Sequence, residues 1–346
     1  CCNTTANYNT AVGAGAMSRS STGANNTSVG VDSLTYNTTG CFNTASGFNA
    51  LRVNSTASFN TAFGGCTLYA NTTGAQNTGV GYQALKANTC GGCNTAVGKA
   101  ALTTNTTGSY NTASGKDVMF SNTTGSQNTA SGYRALLANT TGHYNTVHGS
   151  YALTANTTGS YSTAVGRQSL QANTTGRNTA FGNRSLFSNT TGGYNTALGD
   201  HALKSNTTGN SNTASGWYSL HVNTTGGANV AVGLNTLKGN TTGSYNAAFG
   251  TYALCKNTTG IKNTAVGTHS LYSNTTSSYN AAFGTSALET NTTGGQNTAI
   301  GNQALFRNTT GASNTAIGLF ALCCNTTGSY NTASGTSALR VNTTGN

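Results

Sequence analysis

One large apolar residue returns along this chain every seventeen positions. The series holds Leu in eighteen copies, among them Leu34, Leu51, Leu68 and Leu85, and Met in two, Met17 and Met119. Six places earlier stands Ala, relaxed to Ser28, Gly79 and Val147. Four places earlier stands Gly in every complete copy, from Gly13 to Gly335. The remainder is Asn, Thr, Ser and Gly, as in NTTGSYNTASGTSALRV at residues 325–341. Self-similarity at a fixed period marks a stacked, one-dimensional fold. The strict recurrence argues against disorder, which low-complexity composition alone would suggest.

Counted from the head Asn, copies begin at residues 3, 20, 37, 54, 71, 88, 105, 122, 139, 156, 173, 189, 206, 223, 240, 257, 274, 291, 308 and 325. The single sixteen-residue step, from 173 to 189, loses its residue in NTTGRNTAFG, between two Gly-marked motifs where a turn absorbs it. The pattern predicts an all-β chain: a parallel β-solenoid (β-roll) of about 17 residues per coil and about 20 coils, continuous over residues 1–346. Coils hydrogen-bonded at about 4.8 Å would make a stack on the order of 95 Å.

Two short strands per coil are expected, one at NTAxG and one at ALxxNTT, because four residues cannot carry a helix and Thr, Asn and Gly surround them. Gly at position eleven supplies positive φ at a tight corner. Position four is also Gly, except at Ala6, Ala57 and Ser277, and reads as a less demanding corner. Alternation then assigns faces. With Leu at position fifteen pointing in, position seventeen and the Thr at two follow it, and the head Asn and the Thr at three point out. On the other strand, Asn at seven and Ala at nine share one face, and Thr at eight and the residue at ten share the other. Position ten is often apolar (Val12, Phe63, Val97, Phe181, Phe249, Phe283, Ile300, Ile317) but also Ser46, His148 and Ser215. One face packs inside, and the other is available to a second chain.

Only 5% of residues are charged, and Pro is absent. The net charge of +11 comes from Lys and Arg scattered along the chain and a shortage of acids, with no concentrated basic stripe. No nucleic-acid partner is expected on that ground. No run of eighteen apolar residues occurs, so membrane insertion through a helix is not expected. The opening CCNTT repeats the CCNTT at residues 323–327, so the chain reads as a segment of a longer protein.

The head Asn begins an N-glycosylation acceptor sequence in nearly every copy. The candidates are Asn3, Asn37, Asn54, Asn71, Asn88, Asn105, Asn122, Asn139, Asn156, Asn173, Asn189, Asn206, Asn223, Asn240, Asn257, Asn274, Asn291, Asn308, Asn325 and Asn342; Ser20 breaks the series. Pointing outward, they would carry a ridge of covalent glycans. Stacked on one another, the same residues would form amide ladders instead. Tyr recurs at position six (Tyr8, Tyr110, Tyr144, Tyr161, Tyr194, Tyr245, Tyr279, Tyr330), where rings could stack on sugars, on a neighbouring chain, or over the coil edge.

Cys90 and Cys93 form one CxxC without a second pair at zinc spacing, which predicts a local disulfide or two packed thiols rather than a metal site. Cys1 and Cys2 and the equivalent Cys323 and Cys324 are candidates for disulfides between subunits stacked head to tail. The four acids, Asp32, Asp117, Asp200 and Glu289, lie many coils apart and offer no paired-carboxylate chemistry. Asp117 and Arg134, equivalent in adjacent coils, read as a surface ion pair. No Ser or Thr has an activating partner. No enzyme activity, cofactor or metal is expected.

The pieces NTAVGKAAL (residues 94–102), NTAIGNQAL (297–305) and NTGVGYQAL (77–85) resemble the head repeats of trimeric autotransporter adhesins and similar phage and viral tail-fibre repeats. The resemblance covers essentially the whole chain. It implies a parallel β-roll, often three chains side by side, used for extracellular display and attachment. The seventeen-residue period and the missing stalk heptads depart from the adhesin pattern. The expected function is a non-enzymatic structural protein, extracellular or on a cell or virion surface, assembling with copies of itself head to tail or laterally into a rod or fibril. An adhesin or tail-fibre module binding a host surface or sugar is the alternative. Ice binding is a third reading, weakened because the repeat gives Asn-x-Thr where ice-binding solenoids favour Thr-x-Thr.

Overall fold

The computed structural model describes residues 5–346. It is all-β, a solenoid in which the seventeen-residue repeat is one coil. No helix occurs among the described residues. The chain divides into two compact units, Cys1–Arg177 and Asn178–Asn346, meeting where the repeat loses its one residue.

The first unit holds strands β1 (Thr10–Val12) to β10 (Thr163–Val165), and the second holds β11 (Thr179–Phe181) to β20 (Thr332–Ser334). Each strand is three residues long, positions eight to ten of its copy. Within each unit it pairs in parallel with the equivalent residues one coil away, as in Thr44↔Thr61 and Ala247↔Thr264. In-register pairing at a shift of one repeat is what identical coils allow: every side chain sits over its own copy.

The second strand is not formed. Residues from ALxx onward run as turns, and Leu at position fifteen holds a left-handed backbone, φ 49° at Leu51 and 50° at Leu254. That conformation breaks the alternation from which the faces were assigned. Positions fourteen and fifteen both point in: Ala50, Leu51, Ala253 and Leu254 are fully buried. The head Asn is thereby carried inside, contrary to the outward expectation, and positions seventeen and two are left half-buried. Only the Thr at three keeps its expected exposure, as at Thr39 and Thr56.

Two further positions, six and thirteen, are also left-handed without Gly, for example Tyr245 at 61° and Tyr252 at 58°. A bulky residue there costs about 1–2 kcal/mol. Stacking holds them: Leu254 N donates to Ser270 O at 2.9 Å and Tyr252 N to Leu234 O at 2.9 Å, so the corners are hydrogen-bonded coil to coil.

Gly is needed at position eleven on two counts. At Gly216 φ is +134°, and a Cβ would meet Gly233 O of the next coil at 2.4 Å. Position four is Gly for a different reason than a turn. Gly226 has no positive φ, but its Cβ would fall 2.3 Å from Gly243 O and 2.5 Å from Asn223 Oδ1. The demand there is close approach of backbone to backbone and to an amide.

The core is a narrow column. Leu at fifteen and Ala at nine are fully buried through nearly every coil. Each buried Leu contributes roughly 2 kcal/mol. Small residues at position fourteen and two rows of Asn fill the rest of the interior.

Candidate interaction faces

Two rows of Asn fill the interior opposite the Leu column. The head Asn donates both of its N–H groups. Asn223 Nδ2 reaches Asn206 Oδ1 of the preceding coil at 2.8 Å and Gly226 O of its own coil at 2.9 Å. Asn at seven forms the second row: Asn229 N donates to Asn212 Oδ1 at 3.0 Å, and Asn212 Nδ2 donates to Gly226 O at 2.9 Å. The position-four carbonyl thus accepts from both rows and ties them together. The first unit repeats the geometry, with Asn54 Nδ2 to Asn37 Oδ1 at 2.8 Å and both Asn54 and Asn43 on Ala57 O at 2.9 Å. Buried amides satisfied in this way stabilise; the same amides unpaired would cost about 1–3 kcal/mol each.

This placement corrects the glycan ridge. Head Asn residues from Asn37 to Asn325 are fully buried. Asn342 is half-buried with Nδ2 on Gly345 O at 3.1 Å, and Asn3 lies outside the described residues. A sugar on Nδ2 would take a ladder donor and needs space that the coil does not have.

The expected chemistry of the other candidates is placed as follows. The seven described cysteines are free thiols. Cys93 Sγ donates to Gln76 Oε1 at 3.2 Å and Cys90 Sγ accepts from Thr89 Oγ1 at 3.8 Å, so this CxxC is two thiols. Cys323 is buried, which pushes its thiol pKa up, with the adjacent Cys324 adding to the shift. Cys1 and Cys2 lie outside the described residues. Arg134 Nε stands 3.8 Å from Asp117 Oδ2, the expected surface pair. Among the described residues, no three His, Cys, Asp or Glu gather where they could hold a metal ion, and no helix is long and apolar enough to cross a membrane.

Three outward rows remain. The strand's outer face carries position ten. In the second unit Phe181, Leu198, Phe249, Phe283, Ile300 and Ile317 are each 40–42% exposed. Beyond the Gly corner, Trp217 and Leu319 extend the apolar surface. The first unit's row is broken by Ser46, Ser114, Ser131 and His148.

Position six forms a ring ridge. Tyr194, Tyr245 and Tyr279 stand well exposed. In the first unit Tyr144 and Tyr161 stack at 4.9 Å, with Arg177 over Tyr161 at 4.5 Å. Where Ser211 and Ala228 interrupt the ridge, a depression of about 330 Å³ opens beside Tyr245, lined by Asn210, Thr225, Gly227 and Ser244.

The third row was missed in the sequence, where the basic residues look scattered. Positions thirteen, sixteen and seventeen come together on one side of the second unit. His201 stacks on Tyr218 at 5.1 Å, Tyr218 meets His221 at 4.5 Å, and Lys238 Nζ lies 5.4 Å from the Tyr218 ring. One coil pair further on, Tyr252 stacks on His269 at 5.4 Å, His269 meets Tyr272 edge-on at 5.4 Å, and Lys256 Nζ lies 4.9 Å from Tyr272. Burial pushes the Cys255 thiol pKa up, and Lys238 and Lys256 oppose that shift. Burial lowers the His221 pKa to about 4, helped by Lys204, His201 and Lys238, so this ring is neutral at pH 7. Position thirteen holds a left-handed backbone, for which the varied residues found there give no signal in the sequence.

No protein-family model matches the chain, and no curated protein or solved structure does.

Proposed function

We propose that this chain is a non-enzymatic structural protein, displayed outside the cell or on a virion surface, that assembles with copies of itself. The observation that carries the reading is the apolar row on the outer strand face of the second unit. Eight apolar residues at position ten, from Phe181 to Ile317 and interrupted once by Ser215, include three Phe and two Ile, on a chain with only 5% charged residues. An apolar surface repeated in this way marks an interaction site. A second chain laid against it would bury that row. Resemblance of the repeat to adhesin heads and tail fibres, which often bring three chains side by side, supports lateral association.

Sedimentation velocity of the purified chain tests it. Oligomers at micromolar concentration are expected, and a monomer across the accessible concentration range would remove the reading. A surface-binding module is the second reading, favoured by the basic, ring-lined side of residues 184–272.

A further inference from the structure

We infer that this side of the second unit is a binding face for a linear anionic polysaccharide; the inference rests on the surface-binding reading and gives it a site and a ligand class. Lys204 and Lys238 occupy the same position two coils apart, which is about 10 Å at ordinary strand spacing, on the scale of a disaccharide. Lys256 continues the line toward Tyr272. The acids nearby are Asp200, whose Oδ1 lies 2.9 Å from His201 Nδ1, and Glu289, one coil beyond Tyr272. A stripe of one sign running along the stacking axis suits a linear polymer of the other sign.

The rings decide between polymers. Single-stranded nucleic acid binds where bases can stack on open ring faces. Here one face of each ring is already taken, Tyr218 by His201, with interplanar angle 5°, and Tyr252 by His269, with 11°, which reduces the ring surface open to a base. Tyr218, Tyr252 and Tyr272 are each half-buried, and phenol hydroxyls can hydrogen-bond sugar hydroxyls and anionic oxygens.

The test is retention on a glycan array carrying neutral and sulfated linear chains, in about 0.05 M salt where surface charge is little screened, followed by affinity for heparin as the sulfated probe. Lys204→Gln, Lys238→Gln and Lys256→Gln together are expected to weaken heparin binding by about tenfold or more. The charge-matched control, Lys99→Gln, Lys116→Gln and Lys262→Gln together, should change it less than about twofold. Circular dichroism of both triples checks folding, and neutral Gln at these exposed or half-buried positions removes no core contact. Equal loss in the two triples would reduce the effect to net charge and overturn the proposal. Tighter binding of a thymidylate oligomer than of heparin at equal charge would also overturn it, in favour of nucleic acid. Retention on neutral glycans alone ends the proposal but leaves the surface-binding reading. Retention on no glycan ends both.

Discussion

The interior and the outer strand face of the second unit reverse the usual distribution of polarity. Inside, Asn206, Asn212, Asn223 and Asn229 are fully buried, yet each amide finds partners one coil away. Outside, Phe249 and Phe283 stand 41% exposed. In a globular core a buried amide must find a partner of different chemistry and geometry. In a stack of identical coils the partner is another copy of itself, and satisfaction at one coil is satisfaction at the next. The same repetition works against the surface. An apolar residue placed outward once is placed outward in every coil, and the row it makes requires a covering chain.

Breaking the inner row has the largest expected effect. Asn206→Asp replaces a donor to Asn189 Oδ1 and Gly209 O, at 2.7 and 3.0 Å, with a carboxylate among acceptor oxygens. An unpaired buried charge costs about 3–5 kcal/mol, so the variant is expected to lose cooperative unfolding of the second unit or drop its midpoint sharply in urea. A midpoint within error of the parent would mean that the amide row contributes nothing.

Breaking the outer row should separate association from folding. Phe249→Lys with Phe283→Lys is expected to shift the sedimentation profile to monomer, by a factor of ten or more in dissociation constant (about 1.4 kcal/mol per decade). The urea midpoint of the monomer should hardly move, because neither side chain packs in the core. A loss of stability equal to that of Asn206→Asp would show that the two rows are not distinct in role.

What could be read in the sequence followed this division. The period, the parallel stack, Leu inside and the Gly corner at eleven were legible, because each needs only repetition and a size pattern, while the face that the Ala strand turns inward was left open between Ala and position ten. The orientation of the head Asn was not. Alternation was extended from Leu254 to Asn257 as though the chain were extended, and the left-handed Leu254, φ 50°, turns it over. A bulky Leu in that conformation has no local signature; inter-coil hydrogen bonds enforce it. The basic face was illegible for the same cause, since His201, Lys238 and Lys256 occupy three different register positions and only the corner brings them together.

The corner offers a smaller and opposite effect. Ala100 occupies position thirteen with φ 56° and is nearly buried. Ala100→Gly removes the left-handed penalty of about 1–2 kcal/mol and adds back roughly 0.5–1 kcal/mol of chain entropy. A gain of about 0–1.5 kcal/mol in the first unit is expected, read as a higher urea midpoint. A loss would mean that the corner is not strained and that sequence reasoning failed there for some other cause.

The smallest effect concerns a polar group that has no copy of itself to bond. Unlike the Asn rows, His221 has both ring nitrogens buried and unpartnered, with its pKa lowered from 6.5 to about 4 by burial first and the flanking cations next. Between those values the unfolded chain binds a proton that the folded chain refuses, so stability rises with pH across this window and falls as pH drops from 6.5 toward 4. Half-exposure limits the size, and a downward shift of a few degrees in thermal midpoint between pH 7 and pH 4.5 is expected. His221→Gln, which cannot titrate, should flatten that part of the profile. If the slope persists in the variant, another group carries it, and the contrast between laddered and unladdered polar residues loses its clearest outer example.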